Sequence, residues 1–90
     1  MKIGVIGLGK LGCSMFAAFA ASGNQVFGFD INHIAREKLK TKIAPVYETN
    51  LQKEIDLGFY NYEILESASE VLAKSEVTYI IVPTPSLDNG

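Results

Sequence analysis

Ninety residues, 48% of them hydrophobic, make one small globular unit or a piece of a larger one, with too little chain to hide more than about two thirds of its unfolded surface. Eight basic and ten acidic side chains leave a formal charge of −2, which excludes a surface built on net positive charge for nucleic acid or an anionic membrane. The single cysteine, Cys13, excludes an internal disulfide and fits a reducing, cytoplasmic setting, and the glycine-broken apolar start reads as neither signal peptide nor membrane span.

Lys2–Ile6 is a short apolar run ending in glycines, as expected of a strand buried on both faces of a parallel sheet. From Lys10 to Ser22 the pattern lengthens into a helix, with Gly23 placed to close it. Val26–Phe29 is the second strand and stops at Asp30. Asn32 is a helix cap, and a helix is expected from His33 to Lys42, with Ala35, Leu39 and Ile43 on its inner side and Pro45 beyond its end. Asn50 opens a short helix over Leu51–Leu57, followed by Gly58. Tyr62–Leu65 alternates as a short strand, and Ser67 and Glu70 have the spacing of a capping box before a helix over Ala68–Lys74. Val77–Val82 is the last strand. Strands alternating with helices predict a parallel sheet with right-handed crossovers, in the order 3-2-1-4.

Between the first strand and the first helix lies Gly7-Leu8-Gly9-Lys10-Leu11-Gly12, a G-x-G-x-x-G turn. The pattern is weak alone and gains weight from the strand before it, the helix after it and the acid closing the next strand. Gly7 permits the tight turn, Gly9 lets a pyrophosphate approach the backbone, and Gly12 lets helix and strand pack closely. The helix start offers free N–H groups and a partial positive charge. Asp30 follows Gly12 by eighteen residues and can accept hydrogen bonds from ribose hydroxyls while repelling a 2′-phosphate, which favours NAD over NADP. The bland alternatives are a glycine-rich turn that only packs a helix and an exposed polar strand end. Arg36 is expected to be solvated, with reach toward an adenosine phosphate. The fold class is therefore α/β, a Rossmann-type doubly wound parallel sheet of about four strands.

Three stretches, "MKIGVIGLGKLG", "VFGFDIN" and "VTYIIVPTPSLDNG", together resemble the N-terminal domain of the UDP-glucose/GDP-mannose dehydrogenases, and "APVYETNL" at 44–51 is similar to that family's linker. The resemblance covers nearly the whole chain, and the V-P-T-P stretch, Val82 to Pro85, is its most discriminating motif. It implies a nucleotide-sugar 6-dehydrogenase that oxidises a C6 hydroxyl to a carboxylate with two NAD. By the same resemblance the cofactor is held by Gly7, Gly9, Lys10, Leu11, Gly12, Asp30, Val82, Pro83 and Thr84, with Thr84 in a supporting catalytic role beside the nicotinamide. Three departures stand out: Lys10 where the family commonly has an aromatic residue, Thr49-Asn50 for Pro-Gly, and Ala35 in place of a basic residue, with Arg36 one later.

The family's nucleophilic cysteine and catalytic lysine lie far downstream of any position here, and Cys13, in an apolar helix, reads as a small hydrophobe. The chain is thus expected to be the N-terminal portion, residues 1–90, of a longer enzyme, with the substrate domains absent and little activity alone. The first helix is apolar almost all round. Leu11, Met15, Ala18, Phe19 and Ser22 are expected to face the sheet. Phe16 and Ala20 would then need cover from a missing part of the parent or from a second copy, so a homo-oligomer is possible. His33 stands alone, and no metal site is expected. The tyrosines are expected to pack with wet hydroxyls, and Arg36–Lys42 to form a solvated helix face. Two alternatives stay open: a stand-alone nucleotide-binding regulatory module, and the N-terminal domain of a β-hydroxyacid dehydrogenase.

Overall fold

The computed structural model describes residues 1–82. Its elements run β1 (Lys2–Ile6), α1 (Lys10–Ala21), β2 (Gln25–Phe29), α2 (His33–Lys40), α3 (Leu51–Gly58), a 3-10 turn (Phe59–Asn61), β3 (Tyr62–Ile64), α4 (Ala68–Lys74) and β4 (Val77–Ile80). The strands form one parallel sheet in the order β3-β2-β1-β4, as the alternation of elements predicts. Ile3 pairs with Val26 on one side and Val77 on the other, so β1 is central and its middle residues are buried.

Alternate residues of the sheet feed two apolar clusters, as the pleat requires. Ile3, Val5 and Val26 join Cys13, Phe16, Ala17 and Ala20 of α1, Leu39 of α2, and Leu51 and Ile55 of α3. Phe27 joins Leu65 and Val71 of α4, with Ile6 and Phe29 at the margin. Helices therefore cover both faces, and the sheet is doubly wound.

The buried side of α1 differs from the expectation. Gly12, Cys13, Phe16, Ala17 and Ala20 are buried, whereas Leu11 is 63% exposed. Two small residues set this phase. An added Cβ at Gly28 would lie 2.5 Å from Phe16 Cε1, so the bare backbone of β2 makes room for the ring. An added Cβ at Gly58 would lie 2.6 Å from Ala20 Cβ, so α3 seats directly on α1. The cover for Phe16 and Ala20 comes from within the chain. Tyr62 completes it: its ring lies 4.8 Å from that of Phe16, and its hydroxyl donates to the Leu39 carbonyl at 2.6 Å. That hydroxyl is not wet, and burial holds its pKa well above the usual tyrosine value. Tyr47 and Tyr60, by contrast, are almost fully exposed.

Helix ends follow local chemistry. The Asn32 side chain accepts from the amides of Ile34 and Ala35 at 2.9 and 3.2 Å and caps α2. The helix stops at Lys40, two residues before the expected end, because Lys42 takes a left-handed φ of 67°, and Ile43 turns half outward. Ser67 Oγ accepts from the Glu70 amide at 3.2 Å, while the Glu70 carboxylate reaches back past Ser67 to the Glu66 amide. β4 ends at Ile80 instead of Val82, though the Ile81 amide still donates to the Ile6 carbonyl at 2.8 Å. Among the described residues no helix is long and apolar enough to cross a membrane.

Candidate functional site

The carboxyl ends of β1, β2 and β4 meet around the loop that enters α1. Gly7 turns the chain out of β1 with φ +102°, a conformation L side chains rarely adopt, and an added Cβ there would strike the Ile81 carbonyl. The Gly7 amide donates to the Phe29 carbonyl at 2.8 Å, which locks the turn to β2. A Cβ on Gly12 would collide with the Gly7 carbonyl oxygen. The fold itself demands glycine at both positions.

Gly9 is different. Its backbone is extended (φ −76°, ψ −158°), open to any residue, and among the described residues an added Cβ would meet nothing within 4 Å. Packing therefore explains Gly7 and Gly12, and nothing among the described residues requires glycine at Gly9. What a side chain at Gly9 would fill is the mouth of a cleft of about 470 Å³. Gly7, Gly9, Lys10, Leu11 and Gly12 line it from the loop and first turn of α1, Asp30 from the end of β2, and Ile81 and Val82 from the segment after β4. Among the described residues no side chain caps α1, and its first hydrogen bond runs from the Cys13 amide to the Gly9 carbonyl. The amides of Lys10, Leu11 and Gly12 have no acceptor among the described residues. They are the donors an anion needs.

Asp30 closes the other side. Its Oδ2 accepts from the Leu8 amide at 2.6 Å and its Oδ1 from the Asn32 amide at 2.7 Å. Each carboxylate oxygen keeps a second lone pair, so the group can hold the glycine loop and still accept from a hydroxyl. Lys10 Nζ lies 3.5 Å from the carboxylate of Glu48, on the α2–α3 loop, a pairing that the sequence did not reveal. Arg36 is not solvated: its side chain is 14% exposed and its Nη1 donates to the Asp30 carbonyl at 2.8 Å.

The described members of the expected site thus lie along one cleft, and Ile81 joins them. Ile81 was legible only as the residue preceding Val82 at the end of a strand. Pro83 and Thr84, including the supporting catalytic role expected of Thr84, lie outside the described residues. Cys13 sits behind the loop, fully buried, with its thiol pushed up to about 12 by burial and by the negative charge of Asp30. Among the described residues no group of three His, Cys, Asp or Glu side chains is placed to hold a metal ion.

The family described as "UDP-glucose/GDP-mannose dehydrogenase family, NAD binding domain" matches residues 1–90. The chain is 33% identical, over its full length, to the UDP-glucose 6-dehydrogenase of Pseudomonas aeruginosa, of which it covers 20%. It is 44% identical over 63% of its length to a putative 6-phosphogluconate dehydrogenase of Bacillus subtilis, covering 19% of that protein. In structure it is similar to a ternary complex of GDP-mannose dehydrogenase from Pseudomonas aeruginosa, with a TM-score of 0.90 at 26% identity, over 100% of this chain and 21% of that one. The chain spans about a fifth of the length of the curated relatives it matches.

Proposed function

Since the chain belongs to the UDP-glucose/GDP-mannose dehydrogenase family, as its NAD binding domain, we propose that it holds the dinucleotide for oxidation of a nucleotide sugar's C6 hydroxyl to a carboxylate. The observation that carries this is Gly9: a residue whose missing side chain serves no packing purpose among the described residues and leaves the cleft open to a ligand. When bound, NAD supplies the hydride acceptor. The free amides of Lys10, Leu11 and Gly12 would take its diphosphate, with the dipole of α1 behind them. Asp30 would accept from the adenosine ribose. Val82, with Pro83 and Thr84 after it, would flank the nicotinamide end.

The nucleophile and the sugar pocket belong, in this reading, to the rest of a longer cytoplasmic enzyme. Cys13 is unsuited to the task, because a thiol with a pKa near 12 supplies almost no thiolate at neutral pH. Exposed apolar side chains on β4 and just after it, among them Ile80 and Val82, suit a sheet that continues in that parent or meets a second copy. Matches to nucleotide-sugar dehydrogenases over the whole of this chain favour this class over a hydroxyacid dehydrogenase, while the putative 6-phosphogluconate dehydrogenase of Bacillus subtilis aligns with 63% of the chain.

Isothermal titration of the chain with NADH is the direct test. One site per chain and no turnover of UDP-glucose or GDP-mannose are expected. Absence of heat together with absence of any thermal shift at millimolar NADH would sink the proposal.

A further inference from the structure

The guanidinium of Arg36 is a junction. Nη1 donates to the Asp30 carbonyl at 2.8 Å and, at 3.4 Å, to that of Ile31. Nη2 lies 3.6 Å from Glu66, on the loop after β3, and the group sits 5.4 Å from the ring centroid of Phe29, the last residue of β2. Nε is buried with no partner among the described residues. A buried donor left unpartnered is costly, so packing economy alone does not explain an arginine here. Its planar fork is what holds two successive carbonyls and a carboxylate at once.

The segment from Asp30 to Asn32 is therefore fixed from two sides. The amides of Leu8 and Asn32 hold the carboxylate of Asp30, and Arg36 holds its carbonyl. We propose that Arg36 is a positioning residue: by clamping the Asp30 backbone, it aims the carboxylate's free lone pairs at the adenosine ribose. This rests on the cleft being the NAD site. It also accounts for NAD over NADP, because a guanidinium already spent on Asp30 and Glu66 is not offered to a 2′-phosphate.

The test compares the affinities of NADH and its 2′-deoxyadenosine analogue, with melting midpoints recorded alongside. One hydrogen bond to a charged acceptor predicts roughly tenfold preference for NADH in the unaltered chain. R36K keeps the charge and much of the stem but loses the fork, and should shrink the preference to about two- to threefold. R36Q should do the same where it folds; where it does not, R36K decides. A preference that stays near tenfold in R36K while both ligands weaken together would show that Arg36 only supports the fold, and overturn the proposal. A preference near one in the unaltered chain, or no NADH binding at all, would overturn the underlying reading of the cleft and this proposal with it.

Discussion

At the α1–α3 seam a Cβ added to Gly58 would lie 2.6 Å from Ala20 Cβ and as close to the Ala20 backbone; at the mouth of α1 a Cβ added to Gly9 would, among the described residues, meet nothing within 4 Å. The two glycines lie at opposite ends of α1, and they answer to different demands. Gly58 is required by the fold, because two helix backbones approach there without room for a methyl group. Among the described residues nothing makes such a demand on Gly9, and its bareness leaves the cleft open. The lesson is that glycine in a phosphate-type loop must be sorted position by position. Gly7 and Gly12 side with Gly58, since backbone atoms block a side chain at both.

One added methyl group at each place separates the two demands. Gly58→Ala should destabilise by roughly 3 kcal/mol, since backbone atoms of α1 must move, and should lower the melting midpoint by more than about 10 °C. Gly9→Ala should leave the midpoint within a few degrees, because its φ and ψ suit alanine and nothing is displaced. Its effect should appear in NADH titration as at least a tenfold loss of affinity. If both variants lose stability, or if G9A binds NADH normally, the division between fold glycine and ligand glycine fails.

A third substitution probes the joint between the two regions. Cys13 stands one turn inside α1, and its folded pKa of about 12 exceeds the ordinary thiol value of 9.0. The sign follows. Below pH 9 the thiol is protonated in both states and the stability is fully present. Above pH 9 the unfolded chain ionises while the folded chain does not, so stability is lost progressively until about pH 12. The loss assignable to Cys13 should be about 1 kcal/mol at pH 10. Tyr62, raised in the same direction by burial, adds to the decline at higher pH. The slope of midpoint against pH between 8 and 10 should therefore flatten in C13A, whatever the change in its absolute midpoint.

Strand order, the Asn32 cap and the glycine loop were legible because each has a local signature: alternation of elements, an Asx residue before a helix, a fixed spacing. The buried face of α1 was not. A helix apolar on every side carries no phase, and the phase was set by Gly28 and Gly58, far away in the chain. The end of α2 was missed because nothing in Thr41-Lys42 announces a left-handed lysine. Arg36 was expected in solvent because its neighbours are charged, yet its stem lies along Phe29 and its head finds carbonyls that only the folded turn presents. Glu66 could have been flagged, since it follows the third strand at the same sheet edge as Asp30.

Lys10 lines the cleft, and Glu48 pairs with it from the α2–α3 loop. Their side chains are 74% and 38% exposed, so the pair should contribute little to stability, and Glu48→Gln should leave the midpoint unchanged. Binding is another matter. A diphosphate arriving at the start of α1 brings negative charge close to Glu48 and competes with it for the lysine. Removing the carboxylate charge should therefore tighten NADH by roughly two- to threefold at low ionic strength, and the gain should fade near 0.5 M salt as screening shortens to a few ångströms. In a Lys10→Met background the same E48Q change should retain only the relief of direct repulsion, a smaller gain. Equal gains in the two backgrounds would mean that Lys10 is a bystander at the rim, and that the loop amides alone set the attraction for phosphate.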